Sequence, residues 1–144
     1  MEDFIGKIQK GTHIKTKAEV RMMAPLTLAY MGDVIFEMFI RNYLVNLGKW
    51  PVGDLHKKAI SYVKAKSQAK IVHELADELT EEEWGIVKKG RNQKSASAPK
   101  NTELIDYKYA TGFEALLGYY YYIGDNKRLM EIMQRSVEII DKEL

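Results

Sequence analysis

Nowhere in its 144 residues does this chain sustain the alternation of apolar and polar side chains that a half-buried strand requires, short ambiguous runs such as Tyr119 to Tyr122 aside. Apolar residues recur at helical spacing instead, which predicts an all-α fold. Pro25 suits a first helical turn, and the apolar run after it predicts a helix over residues 25–47, ended by Gly48 and Pro51. Leu55, Ala59, Tyr62, Val63, Ala69, Val72 and Ala76, with lysines between them, predict one amphipathic helix. Thr80 and Glu83 form a T-x-x-E capping box opening a short helix, which decays into the loop-like GRNQKSASAPKN. A further helix is expected over residues 102–123, with Gly124 as its stop and Asp125 as the next N-cap. Leu129, Ile132, Met133, Val137, Ile140 and Leu144 line one face of a last helix. Residues 1–15 show no strong pattern and read as a loose arm.

The length fits a single domain over residues 1–144, with a core of its own. With 46% hydrophobic and 29% charged residues, disorder of the whole chain is excluded. The absence of cysteine removes disulfide scaffolds, thiol nucleophiles and Cys-ligated zinc together. No apolar segment reaches the ~20 residues that span a bilayer, and the N-terminus has no secretory pattern. We therefore expect a cytoplasmic protein with no membrane partner.

The most apolar stretch, LTLAYMGDVIFEMFI, places side chains around nearly the whole helical circumference, as in a helix buried on most sides. Yet Asp33 lies near its middle, after Gly32. A desolvated carboxylate is costly unless paired or metal-bound, and the glycine costs about 1 kcal/mol of helix propensity. The stretch YATGFEALLGYYYY repeats the anomaly: Glu114 stands among apolar residues, flanked by Gly112 and Gly118. A crossing of the two helices at Gly32 and Gly112 would bring Asp33 and Glu114 together. Two carboxylates sharing a site repel each other, and a hard divalent cation such as magnesium relieves that. The plainer alternative is ion pairing, of Asp33 with Lys66 and of Glu114 with Arg41. Glu37, one turn after Asp33, reads as a surface residue or a supporting one.

Charge is segregated. Residues 85–102 hold no acid but carry Lys88, Lys89, Arg91, Lys94 and Lys100, a basic loop over residues 88–101 suited to an anion. Lys57, Lys58, Lys64, Lys66 and Lys70 add a second basic stripe. Other residues support less. His13, His56 and His73 are too dispersed for a cluster, and His73–Glu74 does not complete a zinc-protease motif. Tyr119 to Tyr122 suit packing in a core or an interface better than base stacking.

AYMGDVIFE resembles the signature helix of the ribonuclease III family, and GFEALLGYYY resembles that family's second metal-binding helix. DLHKKAISYVKAKSQA and KGRNQKSASAPKNT complete four matching segments in order over residues 25–124, most similar to the short members called Mini-ribonuclease III. The resemblance implies an all-helical endonuclease domain, homodimeric, cleaving double-stranded RNA with magnesium (manganese as a substitute) to leave a 5′ phosphate and a 3′ hydroxyl. It implies maturation of the large-subunit (23S) ribosomal RNA precursor and leaves open a ribosomal protein as helper. Asp33 and Glu114 take the places of the family's key metal-binding and catalytic carboxylates. Lys64, Lys66, Lys88, Lys89, Arg91, Asn92, Lys94 and Lys100 are the expected RNA contacts, with Gln93, Ser95 and Ser97 able to hydrogen-bond sugar or phosphate.

The chain also departs from the pattern of the larger enzymes. Where those carry glutamates four and seven residues before the aspartate, Ala29 and Leu26 stand here. Where they carry an aspartate three residues before the later glutamate, Thr111 stands here, with a capping, packing or water-holding role. Those missing acids motivate the alternative of a non-catalytic double-stranded RNA-binding or ribosome-assembly protein on the same scaffold.

Overall fold

The computed structural model describes residues 4–12, 15–94, 98–100 and 102–144. Eight helices follow in order: α1 (Phe4–Thr12), α2 (Lys17–Arg21), α3 (Pro25–Leu47), α4 (Val52–Val63), α5 (Ala65–Leu75), α6 (Glu81–Arg91), α7 (Leu104–Ile123) and α8 (Asn126–Asp141). No strand occurs among the described residues.

The long helices begin and end where the sequence signals them. Pro25 opens α3, and Gly48 closes it in the left-handed conformation at φ 66°. Gly124 closes α7 the same way at φ 75°, and the Asp125 side chain accepts from the Arg128 N–H to open α8. The Thr80–Glu83 capping box forms at the start of α6. Glu83 does more than cap. Fully buried, it also accepts from the Arg128 guanidinium at 2.7 and 2.8 Å and from the Tyr120 hydroxyl at 2.5 Å, tying α6 to α7 and α8.

Two expectations about which segments are helical need correction. Residues 4–12 of the presumed loose arm form α1, and the buried Gln9 amide docks it by donating to the Tyr121 carbonyl at 2.7 Å and to Asn126 Oδ1 at 2.9 Å. The helix expected through residues 55–76 is two helices. Lys64 stands between them with extended backbone, φ −62° and ψ 154°. The carbonyls freed by the break are taken by the side chains that follow it: Ser67 Oγ donates to the Ser61 oxygen at 2.6 Å, and Gln68 Nε2 to the Val63 oxygen at 2.8 Å. Buried polar groups with partners cost far less than orphaned ones, so Ser67 and Gln68 stabilise an elbow that lysine itself does not dictate.

The core is built around α7, packed on α3, α5 and α6. Helices α3 and α7 run antiparallel in near backbone contact. A Cβ on Gly32 would lie 1.7 Å from the Glu114 carbonyl oxygen, and one on Gly118 would lie 2.1 Å from the Leu28 carbonyl oxygen. Phe36 and Phe113 meet edge to face at 5.2 Å beside this seam. The partner of Gly112, however, is α6: its Cβ would meet the Val87 carbonyl oxygen at 2.4 Å, and one on Gly90 would meet the Gly112 Cα at 2.8 Å. The α3–α7 crossing therefore uses Gly32 and Gly118, and Gly112 serves the α6–α7 crossing. The turn of α7 that carries Glu114 is gripped by both neighbours.

Helix α3 also differs from the expected near-complete burial. Leu26, Tyr30, Val34, Met38 and Val45 form an exposed apolar stripe at helical spacing, with Tyr30 77% exposed. No helix among the described residues is long and apolar enough to cross a membrane.

Candidate active site

Asp33 follows the glycine that rests on α7, so the α3–α7 seam itself sets where its carboxylate falls. The side chain is exposed, at the border of the apolar stripe. Glu114 is partly buried on the facing turn of α7. Their carboxyl groups lie within hydrogen-bonding reach, so that a protonated Glu114 donates to Asp33. Burial pushes Glu114 up, the hydrogen bond and negative charge of Asp33 push it further, and a hydrogen bond from Gln68 partly opposes them; the result is a carboxyl raised to about 9. Neither ion pair of the plainer alternative forms among the described residues. Arg41 bridges Glu37 at 2.9 Å one turn along α3, and no described lysine or arginine bridges Asp33 or Glu114. Among the described residues no third Asp, Glu or His joins the pair.

Thr111 turns its hydroxyl back to the Tyr107 carbonyl at 3.0 Å and is buried, which is a packing role. Gln68, not singled out from the sequence, is the residue that reaches the pair: its Nε2 donates to Glu114 Oε2 at 3.3 Å. In KAKSQAK a glutamine reads as one more solvated polar residue, and only the elbow at Lys64 turns it inward.

The basic residues fall in two groups. Lys64 and Lys66 are exposed at the elbow, lining a cleft with Thr102, Glu103 and Asp106. Lys88, Lys89 and Asn92 are exposed at the C-terminal end of α6, where Gly90 abuts the Thr111–Ala115 turn of α7. Lys94 and Lys100 are exposed beyond it, and Ser95 and Ser97 lie outside the described residues, as does His13. Gln93 is engaged with the Lys89 carbonyl at 3.1 Å. Arg91 is half-buried, with its guanidinium 5.5 Å from the Tyr109 ring centre and its Nε on Asn92 Oδ1 at 3.0 Å. His73 meets the same Tyr109 ring at 4.5 Å. In the second stripe Lys57 is exposed, Lys58 lies over Trp50 and Lys70 bridges Glu143. Tyr119, Tyr120 and Tyr121 are buried, the first two donating to Glu82 and Glu83.

Comparison with known proteins gives the same register. The family model described as Ribonuclease III domain matches residues 26–125. A protein of Thermoanaerobacter sp. named Mini-ribonuclease 3 is 44% identical over 99% of this chain and 100% of its own length. The protein of the same name from Symbiobacterium thermophilum is 45% identical, covering 83% of this chain and 92% of its own. A crystallised protein of Fusobacterium nucleatum superimposes with a TM-score of 0.74 at 30% identity, covering 88% of this chain and 98% of its own. With the matched residues spanning both glycine-bearing helices and the two carboxylates they bring together, the chain belongs to the ribonuclease III family of endoribonucleases.

Proposed function

We propose that the protein is a homodimeric, magnesium-dependent endoribonuclease of double-stranded RNA, cutting ends of the large-subunit (23S) ribosomal RNA precursor to leave a 5′ phosphate and a 3′ hydroxyl. The observation that carries this reading is the meeting of Asp33 and Glu114 at the Gly32 seam. Two carboxylates held so close that one of them stays protonated in the absence of a counter-charge fit a hard divalent cation. All the donors at hand are oxygens, the Gln68 Oε1 included, which is buried without a partner. Asp33 and Glu114 would hold the ion. When bound, magnesium supplies Lewis-acid stabilisation of phosphate charge and a more acidic water.

The chain's own residues account for the rest. The seam fixes both carboxylates on rigid helices, so little reorganisation accompanies binding. Asp33 is open to solvent and hence to a phosphate backbone. Lys64 and Lys66 on the elbow, and Lys88, Lys89 and Asn92 at the end of α6, flank the helix that carries Glu114 and suit phosphates and 2′-hydroxyls across a shallow groove. Replacing Lys88, Lys89 and Lys94 by Ala should weaken binding to all duplex sequences alike. The slope of log affinity against log salt should fall by about one unit per lysine that contacts a phosphate.

One site cuts one strand, and a two-fold dimer supplies two. The exposed stripe of α3 supports this, continuing into an apolar groove of about 400 Å³ lined by Phe4, Ile5, Met38, Phe39 and Met130. Val34→Glu should shift the protein from twice the chain mass to the single chain in sedimentation velocity at micromolar concentration. An unchanged dimer would place the interface elsewhere.

The experiment for the reading as a whole is incubation of purified protein and magnesium with a long RNA duplex and, separately, with its single strands. Cleavage of the duplex alone is expected. Binding without cleavage would favour the non-catalytic RNA-binding alternative, which the carboxylate-free positions Leu26, Ala29 and Thr111 motivate.

A further inference from the structure

Gln68 is 2% exposed, in a part of α5 whose neighbours Ala69, Ile71 and Val72 are all core. An amide there is expensive unless its polar atoms are partnered. Only half of it is. Nε2 donates to the Val63 oxygen at 2.8 Å and to Glu114 Oε2 at 3.3 Å, while Oε1 has no partner. A leucine or methionine would remove that orphaned oxygen but leave the Val63 carbonyl and Glu114 without this donor. What the amide adds is therefore specific: one donor shared between the backbone of the elbow and the carboxylate of Glu114. Among the described residues no other side chain donates to Glu114.

We propose that Gln68 is the positioning residue of the carboxylate pair, aiming Glu114 at the ion site it forms with Asp33 and tying it to the elbow that carries Lys64 and Lys66. The inference rests on the nuclease reading and deepens it. Charge explains why an amide suits the task. A lysine or arginine at this place would neutralise the pair and compete with a cation, whereas an amide orients a carboxylate and leaves its charge for the ion. The elbow explains the geometry. Lys64 breaks the helix, the Val63 carbonyl is released, and Gln68 bridges from that carbonyl to α7. The same short segment so places two basic side chains on the outside and one carboxylate on the inside. Gln68 also fits the absence of acids at Leu26, Ala29 and Thr111: with two carboxylates only, the direction of each matters more.

The test uses Gln68→Met and Gln68→Leu, with Gln68→Asn, which keeps the amide but shortens its reach, should the apolar variants fail to fold. Manganese binding is followed by electron paramagnetic resonance of the free ion, without RNA. Duplex cleavage is followed in parallel, with Asp33→Asn as the control. We expect folded variants that bind manganese at least about tenfold more weakly and show a lower kcat with unchanged KM for the duplex, the size seen when partners of metal ligands are removed. Added manganese should restore part of the rate. A folded variant with wild-type manganese affinity and kcat would overturn the inference while the nuclease reading stands. Wild-type protein that neither binds manganese nor cleaves would overturn that reading, and the role of Gln68 with it.

Discussion

Asp33→Asn is expected to lower duplex cleavage by at least about 10³-fold while leaving affinity for the duplex within about twofold of wild type. The magnitude follows from the several kcal/mol of charge stabilisation that a correctly held divalent ion contributes, at tenfold in rate for each ~1.4 kcal/mol. The substitution removes one negative charge and half of the oxygen pair while preserving the shape of the side chain. Affinity should survive because the exposed lysines of the elbow and of the end of α6, remote from Asp33 along the sequence, are the side chains suited to phosphate. Cleavage measured at saturating RNA, beside filter binding in magnesium-free buffer, separates the two quantities. Retained cleavage would remove Asp33 from the site. Lost binding would show that α3 also contacts RNA.

The second large effect concerns stability and has the opposite sign to the usual active-site substitution. Glu114 titrates near 4.5 in an unfolded chain and near 9 in the folded one. Between those values the folded protein keeps a proton that the unfolded protein has released, so stability falls as pH rises across the window. Glu114→Gln abolishes that slope. In EDTA at pH 8 the variant should be more stable than wild type by about 2 kcal/mol or more, a rise of roughly 6 °C in melting temperature for a chain of this length. At pH 4 the two should coincide. Magnesium should then reverse the order, since an ion bound only by the folded wild type stabilises it by mass action. Melting curves at pH 4, 6 and 8, with and without magnesium, contain all of these outcomes. A wild-type protein whose stability does not decline from pH 5 to pH 8 in EDTA would contradict the enforced closeness of the two carboxylates.

Much of this arrangement is legible from residues alone, for reasons that are local. Pro25, Gly48, Thr80, Glu83, Gly124 and Asp125 act within one helical turn of where they stand, so the boundaries of α3, α6, α7 and α8 follow from short-range chemistry. Asp33 and Glu114 stand out because a carboxylate and a glycine in an apolar helix both work against that helix. What the residues do not carry is tertiary choice. Gly112 announces a close neighbour without saying which, and the neighbour is Val87. The break at Lys64 has no breaker residue; it exists because Ser67 and Gln68 capture the freed carbonyls. Helix α1 is nine residues long and held by a glutamine reaching across to the end of α7 and the start of α8, a contact that no periodicity announces. The exposure of Tyr30 and Val34 has the same origin. Their apolar character predicts burial, and a single chain leaves them open.

These features have one energetic source. The seam between α3 and α7 excludes a side chain at Gly32, and that close approach is what brings the two carboxyl groups together. A fold optimised for stability alone would keep the glycine and place apolar residues at Asp33 and Glu114. In the proposed enzyme a bound cation would relieve that strain, the usual exchange of stability for function.

The most direct measurement is a crystal structure of the protein soaked in manganese, with anomalous scattering collected at the manganese edge. An anomalous peak within about 2.3 Å of carboxylate oxygens from both Asp33 and Glu114 of the same chain is the predicted result. A peak bound elsewhere, or Asp33 directed away from Glu114 with no ion between them, would contradict the account.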